Sequence, residues 1–80
     1  MNNIDRYQNI FIDVFGVESS KLNDQFSFDK IDAWNSFTHL TLISKLESEF
    51  NIIFETDDIL SFGSYLNGIK ILKKYGVDLN

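Results

Sequence analysis

The residue best placed for chemistry is Ser36, whose hydroxyl the sequence places in the first turn of a predicted helix. Backbone N–H groups in that turn have no intrahelical acceptor, and the helix dipole is positive at that end. A phosphate ester on Ser36 would therefore be stabilised by its position. His39 follows three residues later, so the two side chains can lie on one side of the helix.

The Ser36–His39 pair has three interpretations. His39 could serve as a general base for a nucleophilic Ser36, but such a pair needs a third group that orients the base and an oxyanion hole in a cleft. A chain of 80 residues with one histidine offers little of either, so we predict no catalytic residue. Alternatively, His39 is a half-exposed residue of an amphipathic helix, or it contacts a partner.

Acidic residues follow the serine in the sequence. They are Glu47, Glu49, Glu55, Asp57 and Asp58. They lack the alternating oxygen ligands and central glycine of a calcium-binding loop, so we predict no metal site. A solvated acidic face and a docking surface for basic partners both remain open.

Composition predicts one domain over residues 1–80. Hydrophobic residues make up 44% of the chain, enough for one core, and the absence of cysteine excludes disulfides, thiolate metal sites and a protein-borne thiol nucleophile. The net charge of −5 disfavours nucleic acid. The beginning of the chain lacks a secretory pattern, and no apolar run reaches the roughly 18 residues of a membrane span. We therefore expect a cytoplasmic monomer with no nucleic-acid partner and no membrane span.

Two longer helices are predicted in the first part of the chain. Apolar spacing indicates the first from about Asn3 to Phe15, with Gly16 ending it. The second begins at Ser36 and ends near Phe50, with Asn51 as its terminator. Its predicted apolar face consists of Phe37, Leu40, Ile43, Leu46 and Phe50.

Residues 17–35 form a long connection between these helices. We expect it to lie against the core because it carries five large apolar side chains. They are Leu22, Phe26, Phe28, Ile31 and Trp34.

The remaining segments are shorter. Residues 52–54 are interpreted as a buried linker, and residues 56–60 as a short third helix with Thr56 as its N-cap. The last helix covers residues 64–75, and Gly68 within it indicates either close packing or nothing at all. The side chains expected to face inward from it are Leu66, Ile69, Leu72 and Tyr75. The predicted fold is a small all-α four-helix bundle, with three main helices, a short third helix and a long loop between helices 1 and 2.

The run around the serine resembles a known family. Residues 34–40 read Trp-Asn-Ser-Phe-Thr-His-Leu, and Leu42-Ile43 and Leu46-Glu47-Ser48-Glu49-Phe50 follow. This pattern is similar to that of acyl carrier proteins around their modified serine, and the resemblance covers essentially the whole chain.

The resemblance implies that Ser36 carries a covalent 4′-phosphopantetheine arm, whose thiol holds acyl groups as thioesters. The implied partners are a phosphopantetheinyl transferase, an acyl- or aminoacyl-activating ligase, and acyl transferases or condensing enzymes. Such a carrier is not an enzyme, since its prosthetic group and partners supply the chemistry. The positions that correspond to partner docking are Asn35, Phe37, Thr38, Thr41, Glu47 and Glu49.

The chain departs from the family at two positions beside the serine. Asn35 stands where Asp is usual, and Phe37 where Leu is usual. The recognition helix is also less acidic than in carriers of fatty acid synthesis, which favours a specialised pathway. An aminoacyl or peptidyl carrier and an unmodified acidic interaction module remain as alternative functions.

Overall fold

Helices dominate the described part of the chain. The computed structural model describes residues 2–79, and that range contains four α-helices, one 3-10 helix and no β-strand. The α-helices are α1 (Asn3–Phe15), α2 (Ser36–Phe50), α3 (Thr56–Ser61) and α4 (Tyr65–Lys74), and the 3-10 helix is Ser19–Lys21. The all-α prediction is therefore confirmed at the level of fold class.

The ends of the longer helices follow from local chemistry. Gly16 adopts a left-handed conformation with φ 64°, and its N–H donates to the Ile12 carbonyl over 2.8 Å, which ends α1. Asn51 ends α2 in the same conformation, with φ 54°. Both predicted terminators are confirmed. The predicted cap of α3 is wrong, because Thr56 is its first helical residue and Glu55 is the N-cap, without a side-chain hydrogen bond.

The core is rich in aromatic side chains, and several rings meet edge to face. Phe11 makes such contacts with Phe26, Trp34 and Tyr65, at centroid separations of 5.2–5.9 Å. Edge-to-face pairs add stability beyond the apolar area that they bury. The largest fully buried side chains are Trp34, Tyr7, Phe11, Phe26, Phe62, Leu42, Leu46 and Leu72.

The connection between α1 and α2 lies against this core. Leu22, Phe26 and Trp34 are buried, and Ile31 is partly buried against the same cluster. Phe28 is an exception to the prediction, because it is exposed at the surface.

The apolar face predicted for α2 is wrong in its first turns. Leu42, Ile43 and Leu46 are buried, whereas Phe37 and Leu40 are exposed. At about 100° per residue, Phe37 lies on the opposite side of the helix from Leu46, so both cannot face the same core.

Two other predictions of burial need correction. In α4, Leu72 is buried as predicted, but Leu66 is exposed, and Tyr65, Gly68 and Ile71 take the inner face. In the linker of residues 52–54, Phe54 is buried but Ile53 is exposed. Of the two alternatives left open at Gly68, the structure shows close packing.

Candidate functional site

Ser36 is exposed and is the first residue of α2. Its position is set by the residue before it, Asn35, which is the N-cap. The Asn35 side chain accepts a hydrogen bond from the Thr38 N–H over 3.0 Å, and the Thr38 hydroxyl accepts one from the Asn35 N–H over 2.9 Å. This reciprocal pair is a capping box, which fixes where the helix begins.

The capping box leaves two backbone donors of the first turn available. Asn35 and Thr38 satisfy each other's N–H groups, while those of Ser36 and Phe37 lie in a turn without intrahelical acceptors. Both residues are exposed. The side-chain oxygen of Ser36 therefore stands where the helix dipole and the remaining N–H groups favour a negatively charged group.

His39 links three segments through its ring. Its Nδ1 accepts a hydrogen bond from Nε1–H of Trp34 over 2.9 Å, since an indole N–H can only donate. Its Nε2 lies 2.7 Å from the Ile59 carbonyl, which can only accept, so Nε2 carries the proton of the neutral ring. A general base for Ser36 needs a free ring lone pair, and Trp34 occupies the one that this tautomer offers.

An apolar groove opens beside Ser36. Its volume is about 400 Å³, and it lies between the first turns of α2 and the end of α3. The lining residues are Phe28, Ser36, His39, Leu40, Ile59, Leu60 and Gly63. The groove is in the size range of small-molecule sites and carries no charged carboxylate or ammonium in its lining.

The short helix α3 forms one wall of this groove and is held from both sides. The bond from His39 reaches its Ile59 carbonyl, and Asp58 accepts hydrogen bonds of 2.5 Å from Nζ of Lys74 and from the Tyr75 hydroxyl. The Lys74 hydrogen bond, followed by that of Tyr75, lowers the pKa of the Asp58 carboxyl. Asp58 is buried, so it belongs to the packing of α3 rather than to an acidic surface.

The residues predicted for docking fall into two groups. Asn35 caps α2, and Phe37, Thr38 and Thr41 lie in its first two turns near Ser36, where the Thr41 hydroxyl donates to the Phe37 carbonyl over 3.0 Å. Glu47 and Glu49 lie in the last turns, distant from the serine along the helix.

Both glutamates have partners within the molecule. Glu47 accepts the Phe54 N–H over 2.9 Å, and Glu49 pairs with Nε of Arg6 over 2.6 Å. Arg6 also donates to the Glu49 carbonyl and lies over the Phe50 ring, with its guanidinium carbon 4.9 Å from the centroid. These contacts attach the end of α2 to α1 and to the linker before α3.

Sequence reasoning missed the far side of the groove. Phe28, Ile59, Leu60 and Gly63 were not assigned to the site, because nothing local indicates that the loop before α2 and a segment more than 20 positions after Ser36 meet beside it. The one available signal was the apolar pair Ile59-Leu60, directly after two acids, in a helix too short to bury every apolar side chain.

Comparison with protein-family models finds none that matches this chain, and comparison with curated proteins finds no match. Among residues 2–79, no group of three or more histidine, aspartate or glutamate side chains is arranged to hold a metal ion. Within the same range, every helix is too short or too polar to cross a membrane.

Proposed function

We propose that this protein is an acyl carrier, which holds acyl groups as thioesters on a 4′-phosphopantetheine arm attached to Ser36. The observation that carries the proposal is the exposed Ser36 hydroxyl at the beginning of α2, at the edge of an apolar groove. The proposed architecture is a small four-helix bundle with a long loop between α1 and α2. The bound arm would supply the reactive thiol, which this cysteine-free chain lacks.

The residues present fit a phosphodiester at Ser36. The N–H groups of Ser36 and Phe37 and the positive end of the α2 dipole would stabilise its charge. Asn35 and Thr38 hold the turn in place through the capping box, so the site is organised before any group is attached. His39 has a structural role in this proposal, since both of its ring nitrogens have partners.

The lining of the groove favours an acyl cargo over an aminoacyl cargo. Leu40, Ile59 and Leu60 present apolar surface, and no lining residue is a carboxylate that would pair with an α-ammonium group. Burying an unpaired ammonium is costly, whereas each buried methylene contributes about 0.8 kcal/mol. An aminoacyl cargo would therefore remain in solvent.

Modification of the protein by coenzyme A and a broad-specificity phosphopantetheinyl transferase tests the proposal. The intact mass should increase by one phosphopantetheinyl group in the wild type and in Ser44→Ala, an exposed serine of the same helix. Ser36→Ala should show no increase, while its circular dichroism stays unchanged because Asn35 still caps α2.

An unmodified wild type would refute the carrier function if Asn35→Asp is also unmodified. Asp caps a helix as well as Asn does, so this variant restores the family's usual residue without loss of the cap. Modification of Asn35→Asp alone would show that Asn35 limits recognition by this transferase. An unmodified protein in every form would favour the interaction module.

The cargo is tested on the modified protein with acyl- and aminoacyl-activating ligases. We expect loading with a fatty acyl group, and we expect the acyl chain to shift the NMR signals of Ile59, Leu60 and Gly63. Loading with amino acids alone would favour the aminoacyl or peptidyl carrier.

A further inference from the structure

Three large apolar side chains around Ser36 are more than half exposed. Phe37 is 78% exposed, Leu40 61% and Leu60 77%. Phe37 and Leu40 lie three residues apart on one side of α2, and Leu40 and Leu60 both line the groove. We name Phe37, Leu40 and Leu60 the apolar rim. Isolated exposed apolar residues are ordinary, but several together beside a functional group are typical of a binding surface.

The apolar rim also borders a second depression on the outer side of α2. Phe37 and Leu40 line it together with Thr41, Ser44 and Lys45. Leu40 lines both concave regions and forms a ridge between them, and Phe37 lies beside it on the outer side. A ridge of this kind offers a partner both a projecting ring to enclose and hollows to fill.

The surface around the apolar rim carries little charge. Residues 36–46 of α2 contain no acid, and Lys45 is their one permanently charged side chain. The glutamates of the same helix, Glu47 and Glu49, are engaged with Phe54 and Arg6 at its far end. Glu47 follows Ser36 by 11 residues, which is about 16 Å along a helix axis.

Acids are found beyond the apolar rim. Asp57 is exposed one turn before Leu60 on α3, and Asp32 is exposed shortly before α2. The chain as a whole carries a net charge of −5. A partner surface that complements the apolar rim and these acids would have an apolar centre and basic side chains at its edge. Protein interfaces commonly have such an apolar core and a polar periphery.

We infer that the enzyme that modifies Ser36 docks on the apolar rim through an apolar face edged by lysine or arginine, and not through charge pairs with Glu47 and Glu49. The inference rests on the proposed function, because it assigns the surface that the transferase contacts. Phe37 is the anchor, since it directly follows Ser36 and is the most exposed side chain of the apolar rim. Its complete burial in a partner is worth about 1.5–3 kcal/mol, which corresponds to roughly 10–150-fold in affinity.

The test measures KM and kcat of a broad-specificity phosphopantetheinyl transferase for variants of the full chain. Phe37→Ala should raise KM about tenfold or more with little change in kcat, and Leu40→Ala should act in the same direction. Ile53→Ala is the matched control, because Ile53 is 84% exposed but lies beyond the other end of α2. Its KM should change less than about twofold, as should that of Glu49→Gln.

Salt concentration separates the two kinds of docking. The ratio of KM between Phe37→Ala and the wild type should be the same at low and high salt, since apolar contacts are not screened. An unchanged KM for both Phe37→Ala and Leu40→Ala, with a raised KM for Glu49→Gln at low salt only, would overturn the inference and leave the carrier function standing.

Two further outcomes would also overturn the inference. Absence of modification in the wild type and in Asn35→Asp would remove the carrier function together with it. A wild-type dimer in sedimentation that becomes monomeric in Phe37→Ala would assign the apolar rim to a second copy of this chain.

Discussion

Gly68 provides a sharp test of how this small domain is packed. It lies in the middle of α4, where glycine is about 1 kcal/mol less favourable than alanine. Helix propensity alone therefore predicts that Gly68→Ala stabilises the protein. Packing predicts the opposite, because an added Cβ would lie 2.7 Å from Cε1 of Phe62 and closer still to Cζ of Phe62 and the Tyr7 hydroxyl.

The magnitudes decide the direction. Overpacking of a tight core costs about 1–3 kcal/mol, and both Tyr7 and Phe62 are fully buried with little room to move. The Tyr7 hydroxyl also donates to the Tyr65 carbonyl over 2.7 Å, and breaking a buried bond of this kind costs about 1–3 kcal/mol. After the propensity gain of about 1 kcal/mol is subtracted, we expect Gly68→Ala to lose about 3 kcal/mol.

The assay is chemical and thermal unfolding followed by circular dichroism. A loss of this size lowers Tm by roughly 12–24 °C in a domain of this length. Lys70→Ala, an exposed position two residues further along α4, is the matched control and should change stability by less than about 0.5 kcal/mol. A Gly68→Ala protein as stable as the wild type, or more so, would refute the packing argument.

A double mutant identifies which contact opposes the methyl group. Tyr7→Phe removes the hydroxyl that the new Cβ would overlap but leaves the Phe62 ring in place. The double variant Tyr7→Phe/Gly68→Ala should therefore be less destabilised than the sum of the single variants. Strict additivity would mean that Tyr7 does not restrict this position.

Two further predictions concern the attachments of α3. His39→Ala should lower the free energy of unfolding, measured in urea, by about 1–3 kcal/mol, because it leaves the Trp34 N–H and the Ile59 carbonyl without their partner. A loss below about 0.5 kcal/mol would mean that water replaces the hydrogen bonds of the ring. The pKa of Asp58 is lower in the folded protein than in the unfolded chain, chiefly because of the hydrogen bond from Lys74. Its contribution to the free energy of unfolding is therefore complete above the ordinary aspartate pKa of about 3.9, and it is lost as the pH falls through the pKa of the folded state. The stability difference between wild type and Asp58→Asn should thus shrink below about pH 4, and a difference independent of pH would contradict this assignment.

The bonds of α3 also bear on the proposed function, because they hold one wall of the groove beside Ser36. This six-residue helix is too short to be stable alone, so its place beside Ser36 depends on the bond of His39 to the Ile59 carbonyl and on the bonds of Lys74 and Tyr75 to Asp58. Because a few side-chain bonds hold this wall, we expect local opening of the groove to cost less than unfolding of the domain, which suits the proposed acyl cargo.

The sequence by itself determined where the longer helices begin and end. Asn35, Gly16 and Asn51 act through backbone groups only a few residues away, so their effect does not depend on the rest of the fold. For the same reason Ser36 was correctly placed at the beginning of α2, and the all-α class followed from the apolar spacing. The tight packing at Gly68 was one of two alternatives that the sequence left open.

Tertiary structure decided which face of each helix is covered. Phe37 and Ile53 are as apolar as the residues of the core, but no neighbouring element reaches them, so they remain in solvent. Asp58 is buried although its neighbour Asp57 is exposed, because Lys74 and Tyr75 of a distant segment supply its hydrogen bonds. Burial depends on what packs against a side chain, and chain segments far apart in sequence meet only when the whole domain has folded.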